Sequence, residues 1–160
     1  MSAAMQRLPV FLAALWWGGI SALSFVAVPT LFAQLGAPVA GPVAARLFSL
    51  QCWAGLGIGL ALLLVLRRAR ADAQFPVAGE AVDPQRLAAM QQVLGTMGFV
   101  LAGMLLALVQ EFGVAQKIVS ARATGGNLRL WHSVGSVMVL GQWLCAGAVL
   151  WRAARRDSRP

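Results

Sequence analysis

The sequence predicts an all-α integral membrane protein: a bundle of four transmembrane helices with short loops and both termini in the cytoplasm. Three observations carry this. Only 11% of the residues are charged and 59% are hydrophobic, with a mean hydropathy of +0.74, whereas soluble domains carry about 25% charged residues. Four apolar stretches, about residues 8–32, 43–66, 87–110 and 128–151, are each long enough to span. A hydrocarbon core about 30 Å thick takes roughly 20 residues at 1.5 Å rise each. Basic residues gather at the ends of these stretches rather than on one polar face. The 160 residues read as a single transmembrane domain, 1–160.

The first stretch, Leu8 to Phe32, contains no charge and follows Arg7 directly. Its apolar run exceeds the h-region of about 7–15 residues typical of a signal peptide, so it reads as an uncleaved anchor. Pro9 stands near its start, where a missing N–H costs nothing. Ala14, Gly18 and Ala22 recur every four residues, a small-residue stripe that invites close helix approach. Trp16 and Trp17 lie too deep for an interfacial aromatic belt and are expected inside the bundle or against lipid. Pro29 is expected to kink or end the helix.

An uncharged connection, Ala33 to Gly41, leads to the second stretch, whose first turn carries Arg46. Gly55, Gly57 and Gly59 interrupt that stretch, the outer two at GxxxG spacing, which favours close packing. Arg67, Arg68 and Arg70 are expected to end it, and the polar run to Val82 reads as a mobile loop. Asp83-Pro84 supplies an N-cap and a proline at the first helical position. The third stretch has polar early turns (Arg86, Gln91, Gln92) and is thinned by Gly95, Gly98 and Gly103. Glu111 to Arg122 alternates apolar and polar residues at helical spacing, as a surface helix or a bent continuation of the third helix would. Gly125-Gly126-Asn127 breaks it and caps the last stretch, which Trp131 and Trp151 bracket.

The formal charge of +8 and pI near 11.7 do not indicate nucleic acid, because the cations sit at span ends, where they orient the chain and meet anionic lipid. With the N-terminus inside, nine of the 13 Lys and Arg residues lie on the inner side: Arg7, Arg67, Arg68, Arg70, Arg86, Arg152, Arg155, Arg156 and Arg159. Arg46, Lys117, Arg122 and Arg129 lie outside, so the positive-inside rule places both termini in the cytoplasm.

In that topology Arg46, Glu111, Arg129 and His132 share the outer side. Arg129 and His132, three apart, share a helical face. Ionisable groups at this depth are costly and tend to face the bundle interior or a cavity. The two readings are a polar pocket, with Glu111 paired to an arginine and His132 exchanging a proton or holding a ligand, and helix ends meeting lipid phosphates. No cofactor or metal site is expected. His132 is the single histidine, where a b-type haem in a bundle wants two and zinc wants three or four ligands. Cys52 and Cys145 read as small buried hydrophobes. Nothing resembles a catalytic triad, a phosphate loop or an inward carboxylate pair, so no enzyme is expected.

Phe25 to Phe32 (FVAVPTLF), the Ala/Gly-rich turn, Ala44-Ala45-Arg46-Leu47-Phe48, and Leu130-Trp131-His132-Ser133 with Ser136 resemble the transmembrane-protein-205-like domain family. The resemblance implies a four-helix membrane protein with no established enzymatic activity. An Asn expected about two turns after the histidine is replaced by Val139, with Gln142 nearby. Trp17-Gly18-Gly19 and the later proline are more loosely similar to the copper-resistance-D and protoporphyrinogen-oxidase-like proteins, whose first-helix histidines this chain lacks. The expected function is a non-catalytic structural or accessory component of the inner membrane. Its partners are the lipid bilayer and a second copy or another membrane protein. The alternatives are an oligomeric permease or proton conduit using the four-residue cluster, and a copper or haem module.

Overall fold

The computed structural model describes residues 3–72 and 84–157, and nearly all of that backbone is helical. Helix α1 (Ala3–Ser21) passes through a π-helical stretch, Ala22–Ala27, into α2 (Val28–Asp72). Helix α3 (Pro84–Val109) passes through a second, Gln110–Val114, into α4 (Ala115–Thr124), and α5 (Leu128–Asp157) follows. Three helical runs among the described residues, Arg7–Arg68, Pro84–Thr124 and Leu128–Arg155, are long and apolar enough to cross a membrane. They mark an all-α, multi-pass membrane protein. Large apolar side chains such as Phe11, Leu50, Leu105 and Val137 stay exposed on every long helix, as surfaces solvated by lipid do.

The first run spans 62 residues, and a straight helix of that length would measure ~93 Å, about three hydrocarbon cores. It does not run straight. Gly36 breaks it at φ 70° and ψ 163°, a region open essentially to glycine alone. The arms on either side of the break lie together, since Trp16 on α1 packs on Gly55 of α2. The connection expected over residues 33–41 thus narrows to Gly36, with helix on both flanks. Pro38 fits there because it stands in the first turn after the break.

Pro29 neither ends nor breaks its helix. In the π-helical stretch before it, the Val28 N–H reaches back five residues to the Leu23 carbonyl. That extra residue in the turn relieves the clash a proline ring makes with the carbonyl four residues earlier. The same device bends α3 into α4, where the Ala115 N–H bonds the Gln110 carbonyl. Residues 111–122 are therefore the bent continuation of the third helix. Arg67, Arg68 and Arg70 ride on the last turns of α2, which continues to Asp72. The Asp83 cap and most of the loop before it lie outside the described residues. At the α4–α5 turn Gly125 adopts φ 72° and ψ 22°, and the Asn127 side-chain oxygen accepts the Leu130 N–H at 3.0 Å.

Aromatic knobs on α1 fill glycine slots on the other helices. Trp16 is 2% exposed. A Cβ on Gly55 would come within 2.8 Å of its Nε1, and one on Gly103 within 2.8 Å of its Cη2. Trp17 sits likewise against Gly147, 3.0 Å from a Cβ there, with Trp143 at 5.5 Å between ring centroids. Ala13, Trp16, Ile20, Leu62, Val100 and Val149 belong to one buried apolar cluster. The small-residue stripe of α1 takes no part: Ala14 and Ala22 are exposed, and a Cβ on Gly18 would meet nothing within 4 Å. The thin surfaces belong to α2, α3 and α5, because α1 itself contributes the bulk.

Three outcomes are expected in reversible unfolding of the protein in detergent micelles. Gly103→Ala, whose Cβ meets the Trp16 ring and, at 3.3 Å, Cys145, should cost about 1–3 kcal/mol. Gly98→Ala, with nothing within 4 Å, should be neutral or stabilise by up to about 1 kcal/mol. Gly36→Ala should lower stability by about 1–3 kcal/mol through backbone strain alone. An unchanged midpoint would mean that the reversal does not need glycine.

Candidate functional site

A cavity of about 490 Å³ opens where the end of α1 and start of α2, the π-helical stretch with α4, and the first turns of α5 meet. Its volume falls within the range of small-molecule sites, about 300–1,000 Å³. The walls are mostly apolar. Phe25, Val28 and Phe32 come from the first turn region, Phe48 from α2, Val114 and Ile118 from the third helical run, and Val139 and Trp143 from α5. Gly41, Ala44, Ala45 and Gly135 keep them thin enough to leave the space.

Polar groups enter this wall at few points. Glu111, half-buried, accepts a hydrogen bond from the Ser49 hydroxyl at 2.6 Å. An ionised carboxylate offers about four acceptor sites, so Ser49 leaves most of them open. Ser24 lines the cavity with a buried hydroxyl that has no partner among the described residues. Beside it, the buried Gln142 donates from Nε2 to Gln110 Oε1 at 2.7 Å, while its own Oε1 is without a partner there. Trp143 donates from Nε1 to the Ser21 hydroxyl at 2.9 Å, and Ser21 in turn donates to the Trp17 carbonyl. That chain fixes the Trp143 ring, with Phe25 edge-on at 6.1 Å.

Of the four residues singled out from the sequence, Glu111 and His132 line this one cavity. Arg46 and Arg129 are exposed and lie outside its lining. The partner of Glu111 is a hydroxyl from α2 and not a guanidinium. The arginine that does line the cavity is Arg122, whose guanidinium would meet a Cβ on Gly41 at 3.0 Å. Sequence reasoning missed Arg122 as well as Ser49 and Gln110, and it noted Gln142 only as a polar residue near Val139. The glutamines carried a signal, as amides in otherwise apolar runs, whereas Arg122 is found only once α4 is known to continue α3. No group of three His, Cys, Asp or Glu side chains converges among the described residues. Cys52 and Cys145 are free thiols, the first buried and the second half-buried.

Truncating one amide of the Gln110–Gln142 pair strands the other in a dry site. Gln110→Leu should therefore cost about 1–3 kcal/mol, while the double variant with Gln142→Leu should recover most of that loss. Additive losses in a double-mutant cycle would mean the two amides do not act as a pair.

Residues 11–127 match the family described as Domain of unknown function (DUF4149), and the chain belongs to that family. The match takes in Ser49, Gln110, Glu111 and Arg122, and ends just before α5 brings His132, Gln142 and Trp143. No curated protein and no solved structure matches the chain.

Proposed function

We propose that this member of the DUF4149 family is a non-catalytic accessory protein of the bacterial inner membrane. In this reading its outer-half cavity holds a lipophilic molecule through a positively charged or hydrogen-bond-donating nitrogen placed on Glu111. The observation that carries the reading is the position of that carboxylate. Of the 5 acidic residues, Asp72, Glu80, Asp83, Glu111 and Asp157, only Glu111 adjoins an apolar stretch on the outer side. It lines a mostly apolar cavity that Arg122 and His132 also border, and among the described residues its one hydrogen-bond partner is the Ser49 hydroxyl, not a guanidinium. A charge at such depth costs several kcal/mol unless matched, and aromatic faces such as those of Phe25, Phe48 and Trp143 attract cations.

Beneath the cavity the chain is dry. Ile20, which lines it, belongs to the same buried cluster as Trp16, Leu62, Val100 and Val149. A conduit using Arg46, Glu111, Arg129 and His132 would need polar groups through that layer, so the packing supports holding a molecule over passing one. A copper or haem module has the least support: the chain has one histidine, and no group of three His, Cys, Asp or Glu side chains converges among the described residues.

Four crossings are supported by the first helical run, which doubles back about Gly36 so that residues 8–32 and 43–66 lie on separate arms. The distribution of arginines supports cytoplasmic termini and the inner membrane. Of the residues that carry the resemblance to the transmembrane-protein-205-like family, Phe25, Val28, Phe32, Ala44, Ala45, Phe48, His132 and Ser136 line the cavity, while Arg46, Leu47, Leu130, Trp131 and Ser133 do not. The outward stripe Ala14, Gly18 and Ala22 leaves a thin face for a second copy or another membrane protein.

Equilibrium dialysis of tetraphenylphosphonium against the detergent-purified protein tests the site. Binding by the wild type is expected, weakened about tenfold or more by Glu111→Gln and unaffected by Arg46→Gln. No binding by the wild type, or equal binding by the Glu111 variant, overturns the assignment.

A further inference from the structure

At the opposite end of the bundle Arg152 crosses from α5 onto α3. Its Nε donates to Thr96 Oγ1 at 3.1 Å and its Nη2 to the Gln92 carbonyl at 3.4 Å. The Thr96 hydroxyl donates to the same carbonyl at 2.7 Å, which aims its lone pairs at the guanidinium. The Phe99 ring lies 5.7 Å from Cζ. Gly95 is the reason the group fits, since a Cβ there would come within 2.6 Å of Nη2. The guanidinium is thus seated in a slot of neutral groups, half-buried, with no carboxylate against it among the described residues. Two of its five donors are engaged, and the remainder are left to its open side.

Arg155, three residues on and so on the same face of α5, is also held in place. Its guanidinium stacks over the exposed Trp151 ring at 4.5 Å. Like charges at this spacing repel, and a protein that braces both against rings instead of splaying them into water holds them ready for a shared anion. Arg is suited to this because its planar fork meets two phosphate oxygens at once. Exposed Trp151 sets the depth: tryptophans concentrate at the headgroup level of a bilayer.

We propose that Arg152 and Arg155, with the slot formed by Gln92, Gly95, Thr96 and Phe99, bind the phosphate of an anionic phospholipid of the leaflet facing this end of the bundle. The lipid's phosphodiester bridges the two guanidinium groups, and its acyl chains lie along the exposed apolar side chains of α3 and α5, such as Leu94 and Leu144. This site is separate from the Glu111 cavity and does not depend on what that cavity holds.

The test is lipid retention by the full chain. Protein extracted into nanodiscs containing equal phosphatidylglycerol and phosphatidylcholine, then released into detergent, is read by native mass spectrometry. The wild type should keep phosphatidylglycerol over phosphatidylcholine by about tenfold. Arg155→Gln, at an exposed position that the fold does not rest on, should lower the preference, and Arg152→Gln with it should abolish it. Gly95→Ala, which changes no charge but fills the slot, should lower it as well. Equal retention of both lipids by the wild type overturns the proposal, as does an unchanged preference in the folded double variant. Competition by millimolar inorganic phosphate as effective as that by phosphatidylglycerol overturns the lipid assignment in favour of a soluble anion.

Discussion

Everything else in the structure depends on one packing relation: the seating of two adjacent indoles of α1 in glycine slots on the three other long helices. Lipid tails are as apolar as leucine, so helices in a bilayer do not associate to escape solvent, and close contact has to do the work. Gly55, Gly103 and Gly147 supply that contact for Trp16 and Trp17. Because the three glycines stand on α2, α3 and α5, one pair of side chains fixes the relative height of every long helix. The reversal at Gly36 follows from it. Trp16 can reach Gly55 only if the chain turns back between them, and a glycine in a conformation closed to other residues makes that turn.

Fixed heights sort the interior into two kinds of layer. At the level of Trp16 and toward the chain's termini the buried side chains include Ala13, Leu62, Leu66, Val93, Val100 and Val149, with Thr96 polar among them. Toward the π-helical stretches come the Gln110–Gln142 pair, Ser24, Ser49 and Glu111, with the cavity among them. Buried polar groups in low dielectric are stable only when paired, and the amide pair meets that demand in part. A Gln142 oxygen, the Ser24 hydroxyl, the Gln51 amide and the Trp16 indole nitrogen have no partner among the described residues. Polar side chains thus cluster beside a space large enough for a molecule, and a second, smaller set, Thr96 with Arg152, lies at the other end of the bundle.

Much of this was legible in the chain. Composition and run length gave the membrane class, and the depth of Trp16 and Trp17 argued for the bundle interior. The buried positions Val93, Thr96, Val100, Gly103, Ala107, Gln110, Val114 and Ala121 follow the alternating three-and-four spacing of a packed helix seam straight through the bend. That pattern joins α3 to α4, and reading it as one stripe would have placed Arg122 on the cavity. The α1 stripe misled for a physical reason. Small residues permit approach, but which helix supplies the knob and which the slot is decided by shape across a contact, and one helix's spacing does not contain its partner's shape. Arg46 and Arg129 misled differently. Charge at a span end reports membrane depth, whereas pairing with Glu111 depends on azimuth, and Ser49 holds the azimuth that faces it.

The two ends of the molecule carry opposite surpluses. At the cavity end, a carboxylate with room for several donors receives one among the described residues, from Ser49. At the other end, a guanidinium with five donors reaches a hydroxyl and a carbonyl there. Pairing the two internally would have been the cheaper arrangement, since an uncompensated charge at membrane depth costs several kcal/mol. The dry layer from Trp16 to Val149 keeps them apart. In the proposed reading both counter-charges come from the membrane: a cationic or donor group at the Glu111 cavity, and an anionic group at the Arg152–Arg155 clamp.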